Sequence, residues 1–239
     1  MTTQQKPRLV VLSGAGMSAD SGVSTFRDAD GLWERHRIED VATPQAWSKN
    51  PELVLKFYNQ RRRQLFEVEP NAGHTALAGL QEHFDVRIVT QNVDDLHERA
   101  GNRNVMHLHG ELRKVRSTKY PDLVYPWTDD LHIGDLCERG AQLRPHIVWF
   151  NEAVPMIGPA AKEVSQADLL LVVGTSLQVY PAAGLSAYAP PQTPIWYIDP
   201  HPAPNYELKQ SRHLSIIAER AARALPEWAR QIVRQYANS

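Results

Sequence analysis

The junction at residues 8–22 constrains this chain most: Arg8-Leu-Val-Val-Leu12 runs through Ser13 into Gly14-Ala-Gly-Met-Ser-Ala-Asp-Ser-Gly22. The first piece is an aliphatic, β-branched burst of strand length. A buried strand that breaks on Gly-x-Gly and opens a small-residue helix suits a phosphate. The glycines allow close backbone approach, and N–H groups at the helix start face the anion. Gly14, Gly16 and Ala19 fit the spacing G-x-G-x-x-G/A, a weak signal alone, because small residues so spaced often only make a tight strand–helix turn. A dehydrogenase also needs a second strand ending in Asp or Glu about 20 residues on. Here Thr25-Phe26-Arg27 follows instead, with Trp33 soon after. The junction predicts a nucleotide site built differently from a dehydrogenase's.

Further strand-like runs lie at 86–90, 146–150, 167–173, 194–198 and 214–218. Between them are stretches of helical spacing. One starts at Pro51 behind an Asn50 cap, one covers 75–83, and one covers 226–237 with Trp228, Ile232 and Tyr236 on one face. Strands alternating with helices predict an α/β fold, a doubly wound, mainly parallel, Rossmann-like sheet covered on both faces. Residues 1–33, 71–111 and 146–239 form that nucleotide-binding domain. The insertions at 34–70 and 112–145 are expected to pack together as a smaller helical and loop-rich domain, leaving a substrate cleft between the two.

At 239 residues the chain can bury a substantial core. A net charge of −1 gives no electrostatic footprint for nucleic acid. No apolar run approaches the roughly 20 residues of a membrane span, and the opening Met-Thr-Thr-Gln-Gln-Lys lacks a signal peptide's apolar core. The single cysteine, Cys137, excludes an internal disulfide. A cytoplasmic monomer without nucleic-acid or membrane partners is the expectation.

Chemistry-bearing residues gather at strand ends. Gln91-Asn92-Val93-Asp94-Asp95-Leu96-His97 follows the strand at 86–90, where open α/β sheets bind ligands; Asn and Asp there also commonly cap a helix. His107-Leu-His109-Gly110 offers an imidazole, whose pKa of about 6.5 lets it accept a proton near neutrality. Burial against a backbone carbonyl is the commoner fate of histidine, and it is the reading for His36, His74, His83, His132, His146, His201 and His213. Gly174-Thr175-Ser176 closes the strand at 167–173. Tyr58-Asn-Gln-Arg61 places a phenol and a guanidinium at i and i+3, able together to clamp a carboxylate. The plainer alternative puts Tyr58 in the core and Arg61, Arg62 and Arg63 on a solvated face, as expected for Arg62 and Arg63.

The string Gly-Ala-Gly-x-Ser-Ala-x-Ser-Gly-x-x-Thr-Phe-Arg, followed by Asp-Gly-Leu-Trp33, resembles the opening signature of the sirtuins, the NAD-dependent protein deacylases. Later blocks repeat the match in the family's order, over about residues 8 to 226. The resemblance implies the sirtuin fold, with NAD as co-substrate and acyl-lysine proteins or peptides as partners. Gly14, Ala15, Gly16, Ser18, Thr25, Phe26, Arg27 and Trp33 then belong to the NAD site. Gln91 and Asn92 hold the nicotinamide ribose and Asp94 the carboxamide. His109 is the general base, with Asn92 beside it in catalysis. Gly174, Thr175 and Ser176 make a second phosphate and ribose contact; Asp199 holds the adenine ribose, and Ala221 lies over the adenine. Val148, Trp149 and Phe150 belong to an exposed strand that pairs with the substrate peptide, and Asn151 stands where the family usually has Gly.

Tyr58 and Arg61 resemble the pair that, in desuccinylase-class sirtuins, holds the carboxylate of a succinyl, malonyl or glutaryl tail. Ala29 matches the small residue that widens their acyl pocket. The family's four-cysteine zinc site is not matched, since Ser117 takes the first cysteine's place and Cys137 stands alone. No metal is expected, and Tyr120, Tyr125 and Trp127 are expected to pack that region. The implied reaction starts with attack of the acyl-lysine carbonyl oxygen on the ribose C1′ as nicotinamide departs. His109 then deprotonates a ribose hydroxyl, and water completes the release of lysine and 2′-O-acyl-ADP-ribose. A protein ADP-ribosyltransferase and a non-catalytic NAD or ADP-ribose sensor are the other readings.

Overall fold

Residues Leu9 to Leu12 are all buried, so their strand needs cover on both faces, and the architecture follows from that. The computed structural model describes residues 6–24 and 36–236, with the main chain of 32–33. The strands are β1 (Arg8–Ser13), β2 (Leu32–Trp33), β3 (His36–Arg37), β4 (Asp85–Thr90), β5 (Val105–His107), β6 (Gly110–Ser117), β7 (Val124–Pro126), β8 (Leu143–Ile147), β9 (Leu169–Val173), β10 (Ile195–Ile198) and β11 (Leu214–Ile217). The helices are α1 (Ile38–Val41), α2 (Pro44–Lys49), α3 (Pro51–Gln64), α4 (Ala72–Gly79), α5 (Leu96–Arg99), α6 (Ile157–Val164), α7 (Tyr206–Lys209) and α8 (Ala221–Tyr236).

A six-stranded sheet runs in the order β11-β10-β9-β1-β4-β5, and its neighbours are parallel. Leu9 and Val11 pack with Leu77, Trp228 and Ile232 of α4 and α8. Val10 and Leu12 point the other way, onto Ala160, Val164 and Leu185. β1 therefore has a layer on each face, as predicted. Its neighbours β4 and β9 lie on opposite sides, with Ser13 level with both Thr90 and Val173. The chain thus reverses its winding at β1, and the carboxyl ends there form the crevice where such sheets bind ligands.

The smaller unit departs from the helical and loop-rich expectation. β7-β6-β8 is a three-stranded antiparallel sheet that starts at Gly110 and ends at Ile147, overrunning the expected insertion at both ends. Val54, Phe57 and Tyr58 of α3 pack on Leu112, Ile147 and Trp149. Leu55 joins Val115, Leu131, Cys137 and Leu143, with Tyr120, Tyr125 and Trp127 against them. Arg62 is not solvated: it is 1% exposed and donates to the carbonyls of Leu112 and Asp129 and to Asn59 Oδ1. Arg63 does face solvent, beside Asp130.

Boundaries shift for local reasons. α3 begins at Pro51 as expected, with Asn50 Oδ1 accepting from the Leu53 N–H. α4 begins at Ala72, ahead of position 75, because Asn71 and His74 form a reciprocal cap. α8 begins at Ala221, ahead of Pro226, because Ala221 and Leu225 are buried in the core beside α4. The strand expected at 146–150 is shifted to Leu143–Ile147.

Candidate active site

A cleft of about 1270 Å³ opens at the carboxyl ends of β1, β4, β9 and β10 and continues under the smaller unit. Gly14, Ala15 and Gly16 line it opposite Gly174, Thr175 and Ser176. Their glycines serve loop-to-loop contact more than the helix start that the sequence suggests. A Cβ on Gly16 would sit 2.8 Å from Gly174 Cα, and one on Gly14 2.7 Å from Thr175 Cβ. Gly174 itself has φ +61, which favours glycine. The expected helix is a pair of 3₁₀ turns, Ala15–Met17 and Ala19–Ser21. The N–H groups of Gly14, Gly16, Met17 and Ser18 are spent within the protein.

At the end of β4, Gln91, Asn92 and Asp94 line the cleft with His109. Asn92 is fixed at three points. Its N–H donates to Thr90 Oγ1 (3.0 Å), its amide Nδ2 to Ser18 Oγ (3.1 Å), and its carbonyl meets His107 Nδ1 (2.8 Å). Ser18 is fully buried, so it supports Asn92 from behind. His74 and His97, read from sequence as a structural residue and as part of the Gln91–His97 block, complete this support. His74 Nε2 lies 3.5 Å from Ser18 Oγ, and His97 Nε2 3.0 Å from Ser13 Oγ, which donates to Thr90. Burial lowers both imidazoles, His74 to about 4 and His97 well below the ordinary value, so both are neutral near pH 7. His107 goes the other way: burial opposes its charge, but the bond to Glu98 (2.8 Å) leaves its pKa raised. Burial raises Asp94 as well, against the Leu96 N–H that it accepts.

His109 Nδ1 lies 3.1 Å from the Gln91 carbonyl. A carbonyl only accepts, so Nδ1 carries the proton and Nε2 the lone pair. Burial lowers its pKa against the effect of that hydrogen bond, favouring the neutral, basic form. Gly110 has φ +81, and a Cβ there would meet the His146 carbonyl at 2.0 Å. The Gly of the His-Gly pair thus lets β6 cross β8 closely just after the imidazole.

Under the smaller unit, Tyr58 and Arg61 line the cleft, both almost fully buried, and Arg61 leaves the solvated alternative. Val148, Trp149 and Phe150 line it too but are not an exposed strand. Their N–H groups donate to the His109 carbonyl, Glu152 Oε2 and the Ala42 carbonyl, so peptide pairing cannot draw on these three donors. Asn151 adopts φ +68, a left-handed conformation that Asn tolerates better than most non-glycine residues. Sequence reading missed Arg144 and Glu152. Arg144 pairs with Glu152 (2.7 Å), and its guanidinium lies 3.3 Å from the centre of the Trp149 ring. Both flank the stretch 148–150, but no periodicity marks a pair that a turn brings together.

At the far end, Gln91 Nε2 donates to Thr175 Oγ1 (3.2 Å) and the buried Asp199 lines the cleft. Ala221 does not: as the first residue of α8 it is packed in the core, and Ala218, Glu219 and Arg220 line that end instead. Thr25, Phe26, Arg27 and Ala29 lie outside the described residues, as does the Trp33 side chain; the Trp33 main chain pairs with His36. Among the described residues no group of three or more His, Cys, Asp or Glu is placed to hold a metal.

A crevice at the winding switch, roofed by a second unit and carrying an oriented imidazole base, fits an enzyme acting on a nucleotide and a second substrate. A profile described as the Sir2 family matches residues 14–181. A protein of Helicobacter pylori named NAD-dependent protein deacylase is 59% identical over 219 residues, 92% of this chain and 94% of the relative. One of the same name from Bacteroides thetaiotaomicron is 49% identical, over 92% of this chain and 95% of its own. A solved Sir2 homolog–NAD complex superposes with a TM-score of 0.84 at 41% identity, covering 97% of this chain and 91% of that one. A Sir2–p53 peptide–NAD+ complex gives 0.76 at 26% identity, covering 98% and 95%. The chain belongs to the Sir2 family.

Proposed function

We propose that this Sir2-family enzyme, an NAD-dependent protein deacylase, acts preferentially on lysines carrying an acidic acyl group, succinyl or malonyl, and less well on acetyl-lysine. The products would be nicotinamide, free lysine and 2′-O-acyl-ADP-ribose. One observation carries the acyl preference: a phenol and a guanidinium, Tyr58 and Arg61, are buried in the lining of the cleft that His109 faces. A guanidinium sunk in such a wall suits a carboxylate with two parallel hydrogen bonds, and the phenol adds a third.

The cleft suits NAD. Its volume of about 1270 Å³ exceeds the roughly 300–1,000 Å³ of ordinary ligand pockets. Gly14 and Gly16 sit against Gly174 and Thr175 where a side chain would intrude. The buried carboxylate of Asp199 suits a ribose hydroxyl, which it would accept. NAD supplies the electrophilic ribose carbon, and the chain supplies the rest. His109 Nε2 takes the ribose hydroxyl proton while the Gln91 carbonyl stabilises the imidazolium through Nδ1–H. Asn92, fixed by Ser18 and Thr90, holds the ribose in place, and the raised Asp94 carboxyl meets the carboxamide.

The test is incubation with NAD and paired acetyl-lysine and succinyl-lysine peptides, following deacylated peptide and nicotinamide by mass spectrometry. A succinyl preference that disappears in Arg61→Met supports the reading. Acetyl preference in the unaltered enzyme would leave a deacylase and remove the clamp. Transfer of ADP-ribose to protein, with neither peptide deacylated, would point to an ADP-ribosyltransferase.

A further inference from the structure

Tyr58 is gripped by Trp149, its neighbour in the cleft lining. The indole Nε1 of Trp149 donates to the Tyr58 oxygen at 3.1 Å. An indole N–H has no acceptor role, so the direction of this bond is fixed. The phenol oxygen accepts there, and its own proton has to point elsewhere. Tyr58 belongs to the cleft lining, and burial raises its pKa further above the ordinary value, so the proton stays on. The indole is itself held: Arg144 stacks 3.3 Å from its ring centre. Glu152 ties both residues down, taking Arg144 NH1 at 2.7 Å and the Trp149 main-chain N–H at 2.8 Å.

We propose that Trp149, braced by Arg144 and Glu152, is a positioning residue for acyl selectivity: its indole N–H commits Tyr58 to donate, so the pocket recognises a tail ending in an acceptor. This rests on the clamp reading above. A phenol free to turn would serve a donor or an acceptor alike. A phenol with one side occupied by an N–H favours a carboxylate, beside the Arg61 guanidinium. Selectivity then depends on the donor that turns the phenol as well as on the clamp itself.

The experiment compares kcat/KM for succinyl-lysine and butyryl-lysine peptides, whose tails have equal carbon count and differ in the terminal carboxylate. The enzymes are the unaltered protein, Arg61→Met, Tyr58→Phe, Trp149→Phe and the double variant Tyr58→Phe/Trp149→Phe. The succinyl-over-butyryl ratio should fall about ten-fold in Trp149→Phe, the scale of one hydrogen bond to a charged group. The double variant should fall no further than Tyr58→Phe alone, because the indole acts through the phenol. Benzothienylalanine at position 149 keeps the indole outline and replaces the N–H by sulfur, so it reads the same effect if Trp149→Phe does not fold. A ratio lost in Arg61→Met but kept in Trp149→Phe and in the benzothienyl variant overturns the inference and leaves the clamp. Additive losses in the double variant also overturn it, since they mark a general packing defect. No succinyl preference in the unaltered enzyme overturns clamp and inference together.

Discussion

The Gln91 carbonyl stands 3.1 Å from His109 Nδ1, so the residue beside Asn92 also sets which ring nitrogen can act as base. Proton transfer by a positioned side chain contributes roughly 10²–10⁴-fold, and His109→Ala should lose turnover by about that factor while NAD still binds. The base works only when neutral. Activity should rise with pH through the His109 pKa and then level, and burial puts that pKa below the ordinary histidine value. The acid limb of kcat/KM should therefore have its midpoint under about 6.5. A midpoint above 7, or near-normal turnover in His109→Ala, would remove the assignment.

Gly16 is confined by main chain, with Gly174 Cα 2.8 Å and Gly174 O 2.9 Å from where a Cβ would stand. Neither neighbour can swing aside as a side chain would. Gly16→Ala should cost about 1–3 kcal/mol and weaken NAD binding, because it parts the two loops that line the cleft. Gly79 is the contrast. It is helical, and a Cβ there meets nothing within 4 Å. Gly79→Ala should be neutral or stabilise by up to about 1 kcal/mol. Thermal melting and NAD titration of the two variants check this, and equal behaviour would refute it.

Most of the sheet, though not the short edge strand β5, and the motif positions are legible in the sequence because both are local. Strand β1 is apolar at every step from Leu9 to Leu12, and the Gln91–Asp94 block follows the end of β4 directly. What it hid depends on distant partners. Arg62 looks like one of three surface arginines until Leu112 supplies a buried carbonyl and Asp129 a second acceptor from the other insertion. The strand expected at 146–150 stops at Ile147 because Glu152 folds back to take the Trp149 N–H. The resemblance puts Ala221 over the adenine, but its helix starts a turn and a half earlier than the spacing predicts and buries it.

Arg62 also bears on how the smaller unit holds together. Its guanidinium joins α3 to β6 and to the stretch around Asp129, while Asn59 exchanges hydrogen bonds with the Leu131 main chain at 2.9 Å in both directions. These bonds tie α3 to the loops of the smaller unit. Arg62→Leu leaves the buried Leu112 carbonyl without this donor and should cost roughly 1–3 kcal/mol, whereas Arg63→Leu at the surface should change stability by less than about 0.5 kcal/mol. A chelator should leave the melting temperature unchanged. A large drop on chelation would show that a metal contributes and would overturn this account.

The His74–His97 pair should make the fold acid-sensitive. Its rings lie 4.9 Å apart, and burial holds His74 at about 4 and His97 well below its ordinary value. An unfolded chain protonates both near 6.5. Between those values the unfolded state binds more protons than the folded one, so stability falls as pH falls. The loss begins near 6.5, and from His74 alone it should approach roughly 3 kcal/mol by pH 4. His107 has a raised pKa and acts in the opposite sense. Its contribution is complete below 6.5 and is lost as pH rises through the folded value, so it does not create the acid slope. Urea unfolding at several pH values between 7 and 4.5 should show the decline. It should be visibly shallower in His74→Asn, which keeps an acceptor for the Asn71 N–H but cannot titrate. Parallel slopes in the two proteins would mean that the acid sensitivity comes from elsewhere.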